Sequence, residues 1–326
     1  MYSSRHLTLD GGGSGWSRRG LGEATYNGVG CYGAGLQSGF SVNRMPGWLL
    51  DAPDVLPTPR HALRAWPDQI SAGQGTSARV HSSHVLPHPP LTDRYSSLEA
   101  KPDYVNRLFD KGAKHYDSVV DWGFLRSGAA YRRWVQQRHG LKKGHHLLDV
   151  ASGTGLVAAA AVKILGTAEN ITCLDPSEGM LAEARNKLAA RFVVGRAEAM
   201  PFPDNSFDFL TMGYALRHVT DLEVCFREYR RVLKPDGKLL ILEVTKPAGS
   251  LSGFFFRLYF GQIYPWLTQP FTRSHDARDM MRYYWETMDA CVPPATVLDA
   301  LRAAGLSQVK RDTTLGLFSE YTAVKA

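Results

Sequence analysis

The chain has 326 residues, of which 44% are hydrophobic and 21% charged, with 38 basic against 31 acidic side chains and a net charge of +7. That composition supports a folded core, and because the basic residues are interleaved with acids rather than gathered in blocks, no nucleic-acid partner is expected. The most apolar window, Gly253 to Phe260, contains Arg257 and falls far short of the roughly 20 residues a membrane-crossing helix needs.

Residues 1–92 hold roughly half of the 31 glycines, together with clustered Ser, Pro and His and no sustained hydrophobic period. This segment reads as a low-complexity, disordered leader without the charged start and apolar run of a signal peptide. Residues 93–326 have the size of one α/β domain. Cysteines at 31, 173, 225 and 291 form no Cys-x-x-Cys pair, so neither a disulfide framework nor a metal site is expected, and a reducing cytoplasm is the simplest home.

From Asp103 to His139 apolar residues recur at three- and four-residue spacings, broken around Gly123 and Gly128. The pattern predicts two or three leading helices. Strands are then expected at His145–Val150, Ile171–Leu174, Phe192–Val194, Phe207–Met212 and Lys238–Val244, with helices at Leu156–Leu165, Glu178–Ala190 and Leu222–Leu233 between them. Such alternation implies right-handed crossovers and a parallel sheet covered on both faces. A last helix, Pro294–Ala304, leads to Ser307–Arg311 and Leu317–Val324, which are close enough to pair as a hairpin. The fold expected is therefore Rossmann-like α/β: seven strands, mostly parallel, with a C-terminal antiparallel hairpin and helices on both faces.

The sharpest signal is Leu147-Leu148-Asp149-Val150-Ala151-Ser152-Gly153-Thr154-Gly155, a strand running into a Gly-x-Gly turn and an alanine-rich helix. Glycine there lets a ligand approach the backbone, and the helix start offers free N–H groups to an anion. Asp175 follows Gly155 by 20 residues, at a strand end where a carboxylate can accept both ribose hydroxyls. A nicotinamide dinucleotide would share these features. Asp149 fits that ligand less well, because its charge beside the turn repels a pyrophosphate and welcomes an amine or sulfonium. S-adenosylmethionine matches both acids and the helix start.

At this point the sequence resembles the class I S-adenosylmethionine-dependent methyltransferases, and among them the ubiquinone and menaquinone biosynthesis C-methyltransferases. The resemblance rests on Phe109 to Asp117, the glycine turn, Asp175 to Leu181, Ala197 to Asp208, Ala215 to Asp221, Arg231 to Gly237 and Leu242 to Pro247. It implies that Gly153, Thr154 and Gly155 hold the methionine end of the cofactor. Asp149 would hold its amino group, Asp175 its ribose, and Met180, Arg196 and Ala197 its adenine. Position 196 is usually Asn in that family; Arg cannot accept from the adenine amine, and Glu198 is the expected substitute. Position 213, often Ser, is Gly here.

Arg217, His218 and Tyr116 are the expected catalytic residues. The family pairs Arg with Asn, the Arg activating a water; the histidine at 218 is a candidate base near neutral pH, with a mere loop position as the alternative. An insertion at about 246–290 carries 11 aromatic residues between Phe254 and Trp285. Phe254, Phe255, Phe256, Tyr259, Phe260, Tyr264 and Trp266 are expected to wall a flat, apolar acceptor, with Arg257 and Arg273 near its rim.

The first reading is methyl transfer, C-methylation favoured, to an apolar aromatic or quinone-like small molecule. O- or N-methylation of a natural product or lipid amine is the alternative, and a non-catalytic S-adenosylmethionine-binding protein the reading from another class. Expected partners are that acceptor, a membrane surface reached through a lipophilic substrate, and a second copy of the chain.

Overall fold

Leu147–Val150 (β1) and Ile171–Asp175 (β2) are buried along their whole length, as central strands of a sheet covered on both faces must be. In the computed structural model, which describes residues 85–123, 127–247, 249–264, 266 and 275–326, they join Arg191–Val194 (β3), Phe207–Gly213 (β4), Leu233–Val244 (β5), Ser307–Thr314 (β6) and Phe318–Val324 (β7). The order is β3-β2-β1-β4-β5-β7-β6, parallel through β5, with β7 antiparallel between β5 and β6. Strand order reverses between β1 and β4, where the C-terminal edge opens a crevice for ligands.

The leading helices are Lys101–Gly123 (α1) and Gly128–Arg138 (α2). Leu156–Leu165 (α3), Glu178–Arg185 (α4) and Leu222–Val232 (α5) cross between strands. Ser177 caps α4 by accepting from the Met180 amide, and Asp221 caps α5, each satisfying amides that a helix start leaves open. Ser250–Leu258 (α6), a wider turn Tyr259–Ile263 and His275–Asp289 (α7) make the insertion, and Pro294–Ala303 (α8) precedes the hairpin.

Two boundaries differ most from the sequence expectation. The α4 helix stops at Arg185 rather than near Ala190, because the chain must turn to bring Leu188 and Ala190 into the core beneath α3. β5 begins at Leu233, paired with Phe207, and absorbs the Lys234 to Gly237 turn as an irregularity with Asp236 at φ 60°.

The expected disordered leader, 1–92, falls mostly outside the described residues. Its last eight residues lie on the domain instead. Val85 and Pro87 accept through their carbonyls from Leu222 N and Val292 N, each at 2.9 Å, His88 is buried, and Leu91 packs on α1. An extended, proline-rich strap has no period to advertise its burial. Among the described residues, no helix is long and apolar enough to cross a membrane.

Candidate functional site

The glycine turn sits at the C-terminal end of β1. Gly155 holds φ 80° at the start of α3, and a Cβ there would lie 2.9 Å from Leu188; glycine satisfies both the left-handed backbone and the close packing. α1 is bound across this edge at two points. Asp110 Oδ1 accepts from Ser177 Oγ and, at 2.9 Å, from the Gly179 amide. Asp117 accepts from Thr154 Oγ1 and pairs with Lys187, whose ammonium also donates to Thr154 O at 3.1 Å. Seven residues separate the two aspartates, which puts both on one helix face, two turns apart.

Asp175 accepts from the Gly153 amide at 2.8 Å and the Ser177 amide at 2.9 Å. Burial pushes its carboxyl up to about 6, so charge on this group is held against desolvation by two backbone donors. Asp149 lies deeper, fully buried at the centre of the sheet between Cys173 and Thr211. Its Oδ1 accepts from Thr211 Oγ1 at 2.7 Å and its Oδ2 from the Ala158 amide at 3.1 Å. Burial raises it to about 7. It is thus a carboxyl poised near neutrality behind the turn.

A cavity of about 100 Å³ opens over the turn. Ala151 to Thr154 form one side; Tyr116, Arg132, Tyr214 and Tyr284 close the other, with Leu315 and Phe318 from the β6–β7 hairpin at the rim. Burial raises all three tyrosines, so their hydroxyls stay protonated at neutral pH and can donate. Gly213 lines the same space, and a Cβ on it would stand 2.5 Å from Val157 Cγ2. With valine at 157, the side chain often found at position 213 in the resembling family has no room.

The expected adenine residues lie beside β2 and β3. Met180 is 2% exposed, packed with Val105, Leu108, Met280 and Tyr283. Ala197 is buried, and Arg196 stands 3.6 Å from Glu198. Glu198 Oε1 accepts from both the amide and the hydroxyl of Thr220, at 2.7 and 2.8 Å. One of its oxygens is therefore already committed to ordering the β4–α5 loop, a duty that the sequence did not suggest.

The structure corrects the placement of two of the three catalytic expectations. Tyr116 lines the cavity. Arg217 does not face it. Its guanidinium is wholly buried in an ion pair with Glu243 of β5, donates to Tyr214 O at 3.3 Å and stacks 4.3 Å from the Tyr284 ring centre. It reaches the cavity only through two of its lining residues, Tyr214 and Tyr284. His218 is sandwiched between Phe109 and Tyr283, at ring distances of 5.0 and 5.5 Å. Burial and then the nearby Arg217, Lys101 and His88 charges hold its pKa well below the usual histidine range; it is a weak base at neutral pH.

The aromatic wall is also rearranged. Phe256, Phe260 and Tyr264 pack with Val119, Val244 and Tyr284 in a cluster of their own, and Trp285 lies against Phe256. Phe254, Phe255 and Trp266 are 59%, 57% and 70% exposed. Arg257 approaches Asp289 at 3.6 Å, and Arg273 lies outside the described residues. Tyr131, Arg132, Tyr214 and Tyr284 were missed as site residues. For Arg132 the signal was its place beside Tyr131 and Val135 on the inner stripe of α2.

The ubiE/COQ5 methyltransferase family matches residues 97–325. The ubiquinone/menaquinone biosynthesis C-methyltransferase UbiE of Saccharophagus degradans is 34% identical over 239 residues, 70% of this chain and 94% of its own. That of Shewanella halifaxensis is 33% identical over 224 residues, 66% of this chain and 88% of its own. Among solved structures, phosphoethanolamine N-methyltransferase 2 of Haemonchus contortus, in complex with S-adenosyl-L-methionine, is similar over 69% of this chain and 60% of its own, at 18% identity and a TM-score of 0.48.

Proposed function

The chain belongs to the ubiE/COQ5 methyltransferase family, and we propose that it transfers a methyl group from S-adenosylmethionine to a ring carbon of a flat, largely apolar, quinone-like acceptor. The observation that carries this reading is the shared cavity: the glycine turn and the tyrosine cradle open onto the same space. The reacting end of the donor and the acceptor ring, meeting there, would be aligned and shielded from water, which is most of what an in-line displacement requires of a protein.

S-adenosylmethionine supplies a methyl group on a positively charged sulfur. Gly153 and Thr154 would hold its methionine end, Asp175 the ribose and Asp149 the ammonium from behind the turn; Gly153, at φ 55°, has nothing within 4 Å of where a Cβ would stand, which leaves the approach open. Tyr116, Tyr214 and Tyr284, which line the cavity, would donate to an oxygen on the acceptor ring and so orient the carbon beside it. Arg217 acts through Tyr284 as a positioning residue rather than by touching the ring.

An apolar acceptor suits the exposed face of the insertion, where Leu251, Phe254, Phe255 and Trp266 stand in solvent. The reading puts that face against a membrane surface from which a lipophilic substrate is drawn, and the enzyme in the cytoplasm, where its free cysteines at 173, 225 and 291 stay reduced. A second copy of the chain is the rival occupant of this face.

The test is incubation with methyl-labelled S-adenosylmethionine and a short-chain prenylated hydroquinone lacking one ring methyl. Label on a ring carbon is expected. Label on oxygen or nitrogen overturns C-methylation, and donor binding without transfer to any acceptor overturns catalysis.

A further inference from the structure

Arg132 lines the cavity yet is only 3% exposed. Its Nε has no hydrogen-bond partner, and among the described residues no carboxylate lies within ion-pair distance of its guanidinium; the neighbours are the Tyr214 ring, 5.9 Å from the guanidinium carbon, and Gly128, where a Cβ would stand 3.0 Å from Nη1. α2 is fixed beside the turn because Gln136, one turn on from Arg132, donates to Val157 O at 3.2 Å. A buried cation without a counter-charge is costly. The other buried arginine among the described residues, Arg217, is paired with Glu243.

Resting on the donor reading above, we propose that Arg132 binds the α-carboxylate of the methyl donor. That donor brings a sulfonium and an ammonium, which a guanidinium repels, and one anion, which it attracts. Asp149 and Arg132 flank the turn with opposite charge, so the two ends of an amino-acid group are sorted between them: ammonium toward the carboxyl behind the wall, carboxylate toward the guanidinium within it. The pair would fix which way the methionine end lies, and with it the direction in which the methyl group points. Gly128, at the first turn of α2, leaves the space that the guanidinium fills.

The experiment is calorimetry on the full chain with S-adenosylhomocysteine and with 5′-methylthioadenosine, which lacks the amino-acid end. Arg132→Met should weaken the first about 10- to 100-fold, as loss of a charged hydrogen bond does, and leave the second unchanged. Arg132→Lys should recover part of the loss. The melting temperature of unliganded Arg132→Met should not fall, because an unpaired buried charge has been removed; a merely structural arginine would lower it. Wild-type affinity of Arg132→Met for S-adenosylhomocysteine, or equal weakening of both ligands, overturns the proposal. So does unchanged donor affinity with a raised KM for the acceptor, which would assign the guanidinium to the acceptor's oxygen. If the wild-type chain binds neither nucleoside, the donor reading itself fails, and this assignment with it.

Discussion

Asp149 and His218 show how one environment sets two titratable groups apart. Burial lifts the Asp149 carboxyl to about 7 from an ordinary value near ~4. The folded state therefore holds a proton that the unfolded chain has lost, and this group's contribution to stability falls as pH rises from about 4 and levels off above about 7. Asp175, raised to about 6, adds the same trend over a narrower window. An ammonium on the donor favours the ionised carboxylate. Affinity for S-adenosylhomocysteine should therefore tighten between pH 6 and 8, by up to about tenfold, and Asp149→Asn should flatten that dependence in a calorimetric titration. At His218 burial and neighbouring cations act the other way and keep the ring neutral. His218→Asn should hold kcat within a few-fold, with the acid limb of the pH profile unmoved. A loss of about 10²- to 10⁴-fold at normal donor affinity would instead make the ring the base.

Among the elements, α1 and the strap before it do the most to build the site while belonging to no part of the sheet. The Asp110 and Asp117 side chains bind α1 over the ends of β1 and β2. The strap adds its own ties: its carbonyls at Val85 and Pro87 meet α5 and the start of the α8 segment. Just after it, Arg94 makes a two-pronged pair with Glu286 of α7, both contacts at 2.9 Å. Lys101, at the start of α1, donates to the carbonyls of Arg217 and Val219 at 3.3 and 2.8 Å, so the strap's exit is fixed beside the turn that carries Arg217. A chain beginning at Asp93 should melt below one beginning at Val85. The lost backbone hydrogen bonds and buried apolar surface amount to on the order of 3 kcal/mol, a fall of roughly 5–10 °C for a domain of this size. Equal melting temperatures in a thermal scan would show the strap to be dispensable.

In the molecule as a whole, the sheet could be read from the sequence because its signals are local. Short β-rich runs such as Leu147–Val150, glycine and proline punctuation, and a hairpin of adjacent strands each declare themselves within a dozen residues. The turn at Gly153 and Gly155 and the acid at Asp175 could be read for the same reason, since backbone freedom and strand-end position are properties of a short segment. Arg217, His218 and the aromatic run from Phe254 could not be placed that way. A strand end can present a side chain to solvent, to a ligand or to another buried group, and only Glu243, 26 residues further on, turns Arg217 into an internal ion pair. Arg132 is the converse: Tyr131 and Val135 put it on the inner stripe of α2, but no local feature says what it meets there. By itself, the amino-acid order determined the topology and the glycine turn at the end of β1. Which charges face the cavity and which are spent within the core was decided only when distant segments met, because the pairing of buried charges is settled by whatever the rest of the chain brings within reach of them.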